Sequence, residues 1–210
     1  MLWNSMGMFQ QLILFTLLLV VYVAISLIIA RSTIAHPGLE SWMSNLHLLF
    51  VPDSILKDVL FGVLLGILAV LLTTLLDTLV AFMHKEKLSE WMHRSDYLLP
   101  QTRVQKRWAW GISITGSVLE EILFRGFILL AILPLWSHWI WAALILSAVF
   151  ALLHANAQNF WSTIWIYLIS ILLCAIIALG GSIYLAVVTH VTINVLNLFF
   201  IPAVMNRKVK

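Results

Sequence analysis

Long, nearly uninterrupted apolar runs alternate along this chain with short polar connections. The runs lie at Met8–Ala30, Ile55–Met83, Trp108–Leu133, His138–His154, Phe160–Leu179 and Ser182–Ile201. A hydrocarbon core about 30 Å thick takes roughly 20 residues of helix, so the pattern predicts an all-α, polytopic transmembrane helical bundle of about six spans. The first run exceeds the roughly 7–15 apolar residues of a signal peptide and has no charged lead-in or small-residue cleavage site, so it reads as a retained span. Residues 31–54 carry Pro37, Gly38 and Pro52, which marks an exposed connection with a short interfacial stretch around Trp42–Phe50. No internal repeat is visible.

Composition agrees with the pattern. The chain of 210 residues is 62% hydrophobic and 10% charged, with a mean hydropathy of +1.03; an ordinary soluble domain is about 25% charged. It reads as one membrane domain with three parts: N-terminal spans and a basic loop over 1–107, a helical core over 108–201, and a basic tail over 202–210. The lone Cys174 sits in an apolar run, which excludes an intrachain disulfide and a cysteine metal cage.

The net charge of +3 does not point to nucleic acid, because the basic residues form no stripe interleaved with aromatics. They gather instead in one loop (Lys85, Lys87, Arg94, Arg103, Lys106, Arg107) and in the tail (Arg207, Lys208, Lys210). With six spans that loop and both termini share a side, and the positive-inside rule places them in the cytoplasm. Compact size and short loops fit a prokaryotic inner membrane. Trp108, Trp110, Trp136, Trp139 and Trp141 fall where aromatic belts anchor spans, with lipid as the partner. Gly62 and Gly66 form a GxxxG pair that allows close helix approach, either within the chain or in a homodimer.

Ionisable groups inside the hydrocarbon cost about 2.5 to 3.5 kcal/mol each even on insertion scales, so they are functional candidates. The third run carries Glu120, Glu121 and Arg125; the fourth ends Phe150–His154; the sixth holds His190 and Asn194. Neighbours on a helix point about 100° apart and residues four apart share a face. Glu121 therefore meets Arg125 as a buried ion pair, and Glu120 is left to face another neighbour. At about 1.5 Å per residue, Glu120 lies roughly 18 Å from the cytoplasmic end of its helix and His190 roughly 13 Å from the opposite end of its own, which lets them converge.

Glu120-Glu121-Ile122-Leu123-Phe124-Arg125, Phe150–His154 and His190–Asn194, in that order on three spans, resemble the motifs of the CAAX protease and bacteriocin-processing (Abi) family, the type II CAAX prenyl endopeptidases. The resemblance runs from about Trp108 to Ile201 and includes the Gly180-Gly181-Ser182 turn. It implies metal-independent, cofactor-free hydrolysis of a peptide bond in a membrane-associated or prenylated peptide or protein. Glu120 is then the general base and His154 orients the water. His190 and Asn194 supply oxyanion donors, and Glu121 and Arg125 support them, with Arg125 alternatively meeting a substrate carboxylate.

Two other readings stay open. Glu120, His154 and His190 form a two-histidine, one-carboxylate set that zinc could use, although no His-Glu-x-x-His element is present. A transporter with a proton relay, or a non-catalytic immunity protein, would also bury charge, but a transporter would bring repeat symmetry and broken helices. Ser113, Thr115 and Ser117 read as hydroxyls bonded within their own helix.

Overall fold

A computed structural model describes residues 54–87, 91, 99–100, 102–130, 138–155 and 160–204. The expected first span, Arg94, Trp136 and the basic residues of the tail, Arg207, Lys208 and Lys210, lie outside them. Among the described residues all regular structure is helical. Helix α1 is Ile55–Met83 and α2 is Arg103–Glu121, which runs on as a π-helical stretch, Ile122–Leu129. Helix α3 is Trp139–His154, α4 is Phe160–Ala178 and α5 is Ile183–Val195. A second π stretch, Leu196–Phe200, then leads into the short α6, Ile201–Val204.

Local chemistry sets the ends. Helix α1 starts where the Ser54 hydroxyl accepts from Lys57 N at 3.3 Å. Helix α2 begins five residues ahead of the apolar run, at Arg103 instead of Trp108, because Thr102 and Gln105 form a reciprocal capping box at 2.9 and 3.1 Å. Helix α4 ends in a Schellman turn: Gly180 N donates to Ile177 O and Gly181 N to Ile176 O. Gly180 takes φ +89, which its lack of a side chain permits. The Ser182 hydroxyl then caps α5 by accepting from Leu185 N at 3.1 Å.

Three described helices are long and apolar enough to cross a membrane: Ile55–Met83, Phe160–Ala178, and the continuous Ile183–Ala203. Trp139–His154 is shorter, and α2 carries Arg103, Lys106, Arg107, Glu120 and Glu121. The chain is thus a helical membrane protein, and the count of six is not reached among the described residues.

Helices α1 and α5 run parallel in close contact. The Ser182 hydroxyl donates to Asp58 at one end, and further along a Cβ at Gly62 would meet Val188 Cβ at 2.8 Å. One turn on, a Cβ at Gly66 would meet Thr192 Cβ at 2.6 Å. The GxxxG pair is therefore packed against the chain's own α5. Helices α3 and α4 pack through Ala142, Leu146, Phe150, Leu173 and Cys174, with Phe124 and Leu129 closing the core from the first π stretch. Asp77, near the far end of α1, accepts from the indole N–H of Trp165 at 2.8 Å and of Trp91 at 3.2 Å. That pairing ties α4 and residue 91 to α1.

Candidate active site

The site grows from one stripe of α2. Its buried residues are Ala109, Ser113, Ser117 and Glu121, spaced four apart and continued by the buried Arg125. Small side chains along the stripe let α5 approach, running antiparallel, and two polar rungs join the helices. His190 Nδ1 lies 2.7 Å from Glu121 Oε1, and one turn away Asn194 Nδ2 donates to Ser117 Oγ at 3.0 Å.

Glu121 and Arg125 form the ion pair expected from their spacing, at 3.0 Å with both side chains 0% exposed. Arg125 Nη2 also donates to Ser170 Oγ at 2.6 Å and to Ser170 O at 3.3 Å. Its guanidinium lies 4.7 Å from the Phe150 ring centroid. The ion pair is held by its single 3.0 Å contact, and Glu121 Oε2 and Arg125 Nε find no partner among the described residues. Buried charge is tolerated when paired and hydrogen-bonded. A guanidinium committed in this way to α4, to Glu121 and to an aromatic face is not presented to a substrate carboxylate.

Glu120, one residue earlier, points elsewhere. Its Oε1 lies 4.0 Å from His154 Nε2 and its Oε2 lies 3.8 Å from His190 Nε2, both just beyond direct hydrogen-bond range. Glu120 side-chain exposure is 12% and that of His154 is 28%, against 0% for Glu121. His154 is the last residue of α3, and its Nδ1 bonds Phe150 O, one turn back, at 2.8 Å.

The partners fix the tautomers. A carbonyl oxygen only accepts, so His154 carries its proton on Nδ1; an ionised carboxylate only accepts, so His190 does too. Each ring then turns its Nε2 toward Glu120, an acceptor while the ring is neutral and a donor once it is protonated. Two imidazole nitrogens and a carboxylate converge on one region. Among the described residues no group of three His, Cys, Asp or Glu is arranged to hold a metal ion.

Glu120, His154 and His190 are thus brought together from α2, α3 and α5, while Asn194 lies on the same face of α5 as His190 and is held by Ser117. The sequence places Ser117 in a bond within its own helix, which it makes to Ser113 O at 2.6 Å, but does not show its contact with Asn194 or the part of Ser170 in the cluster. The four-residue spacing of Ser113, Ser117, Glu121 and Arg125 was a signal for the first. Ser170 had none, because its partner is 45 positions away.

A carboxylate facing two histidines within a helical membrane protein is a set of groups able to exchange protons. Residues 103–196, which hold this whole cluster, match the Rce1-like family, type II CAAX prenyl endopeptidase Rce1-like. The match is a similarity to that family over this segment, 94 of the 210 residues. No curated protein and no solved structure matches the chain.

Proposed function

We propose that the protein hydrolyses a peptide bond near the end of a membrane-associated or lipidated, CAAX-type chain by activating water with Glu120 and without a metal. The observation that carries this reading is the approach of His154 and His190 to the two oxygens of Glu120, at 4.0 and 3.8 Å. A water among these groups donates one proton toward Glu120 and the other toward the His154 Nε2 lone pair. Glu120 takes a proton as the water oxygen bonds to the scissile carbonyl carbon. The same proton passes to the amide nitrogen as the C–N bond breaks, leaving a carboxylic acid and a free amine.

Oxyanion stabilisation falls to Asn194, whose amide nitrogen keeps one hydrogen beyond the one given to Ser117. His190 presents an acceptor at Nε2 while neutral, so it can donate to the oxyanion only as an imidazolium. Glu121 orients that ring through Nδ1, as a carboxylate behind a catalytic histidine does. Glu121 and Arg125 act through His190 and not on the substrate.

The histidine arrangement also favours a second reading. Nδ1–H bonded to a carbonyl or carboxylate with Nε2 free is how zinc-ligating histidines are held. A cleavage assay in proteoliposomes with a lipidated C-terminal peptide separates the two. Under the proposal, exhaustive chelation leaves the rate unchanged, and His154→Ala lowers it by roughly 10²-fold without loss of folding. Loss of activity on chelation, restored by zinc, would establish the metal reading. Ion flux without cleavage would establish transport.

A further inference from the structure

Resting on the protease reading above, we infer that Ser117 is a positioning residue that sets the orientation of the Asn194 amide. Ser117 is 2% exposed and lies on α2, one turn before Glu121. Its hydroxyl has a single proton, and that proton is committed to Ser113 O at 2.6 Å. Toward α5 the oxygen can therefore only accept. Asn194 meets it at 3.0 Å.

The consequence is a choice between the two ends of the Asn194 side chain. An amide flipped the other way would set its oxygen against an oxygen that has no proton to give. Ser113 O and Ser117 Oγ thus form a two-step chain that holds the nitrogen end against α2 and leaves its second hydrogen for an oxyanion. The adjacent rung, Glu121 to His190, fixes the register of the same two helices at 2.7 Å. Between them the rungs leave Asn194 little freedom to rotate. Ser113 lies on the same buried stripe, but its own hydroxyl has no hydrogen-bond partner among the described residues. It is a matched control for burial and helix face.

The test is a double-mutant cycle read as kcat and KM separately, with the full chain in proteoliposomes and a lipidated C-terminal peptide as probe. Ser117→Ala should lower kcat by roughly tenfold with KM unchanged, the size of one lost hydrogen bond acting in the transition state. Asn194→Ala should lower it by roughly 10²-fold. Adding Ser117→Ala to Asn194→Ala should have no further effect, since nothing remains to be oriented. Ser113→Ala should match the wild type. Ser117→Cys, which keeps the volume and offers a weaker acceptor, should fall between wild type and Ser117→Ala and serves if the alanine variant does not fold.

Equal losses from Ser117→Ala in the wild-type and Asn194→Ala backgrounds would overturn the inference, as would wild-type kcat in Ser117→Ala or in Asn194→Ala. If Glu120→Ala cleaves at the wild-type rate, the protease reading itself falls. If Glu120→Ala is inactive and Ser117→Ala is not impaired, only the role of Ser117 falls.

Discussion

Glu120 and Glu121 are neighbours in the chain and opposites in their surroundings. Glu121 faces inward to Arg125 and His190, with Ser170 and the Phe150 ring completing a shell around the guanidinium, and water has no access to it. Glu120 has no direct bond to either histidine and keeps some exposure. The rotation of about 100° between consecutive helical residues is enough to give two adjacent carboxylates different surroundings, one bonded and fully buried, the other unbonded and partly exposed. Under the proposed function the bonded carboxylate holds geometry and the unbonded one moves a proton.

The largest expected effect tests the inward half. Arg125→Leu leaves Glu121 buried without its guanidinium partner, with only His190 beside it, which should cost about 3 to 5 kcal/mol of stability and lower the thermal midpoint in detergent. Replacing both partners, as Glu121→Leu with Arg125→Leu, should recover part of that loss because no uncompensated charge remains. A double variant no more stable than the single would mean that Arg125 contributes mainly through Ser170 and Phe150.

A smaller effect tests whether the support for the site extends to α1. Gly66→Ala puts a methyl 2.6 Å from Thr192 Cβ and 3.0 Å from Thr189 O. The helix backbone must shift, at a cost of about 1 to 3 kcal/mol. Because Thr189 adjoins His190, activity should fall along with stability; Gly111→Ala, where a Cβ meets nothing within 4 Å, should change neither. Cross-linking that trapped dimers through α1 at Gly62 or Gly66 would contradict the intrachain contact.

The smallest effect lies farthest from the chemistry. Asp77→Ala removes the acceptor shared by Trp91 and Trp165 and should cost about 1 kcal/mol for the weakened bonds, with a shift in tryptophan emission and no change in kcat. A large loss of activity would show that this end of α1 is coupled to the site.

Much of this was legible in the pattern of the chain. The apolar run Ile55–Met83 coincides with α1, and the expected His138–His154 differs from α3 by one residue, because a bilayer-length helix is written directly in hydropathy. The Glu121–Arg125 pair followed from spacing alone. The start of α2 did not, because residues 103–107 lie ahead of the apolar run and the helix is begun there by the Thr102–Gln105 capping box. The two π stretches, each beginning just after a polar rung, at Ile122 and Leu196, had no visible signature. A wider helical turn is chosen by what the helix packs against, and such segments recur at functional sites. The histidine tautomers needed the partners of Nδ1 to be known, and no spacing supplies those.

The most direct test of the division between the two carboxylates is the single-turnover cleavage rate of Glu120→Gln, measured with a lipidated C-terminal peptide in the presence of chelator. The glutamine keeps the shape of the side chain but cannot take a proton, so the rate should fall by about 10² to 10⁴ with the thermal midpoint unchanged. Cleavage at the wild-type rate by a folded Glu120→Gln protein would contradict the assignment of Glu120 as the base.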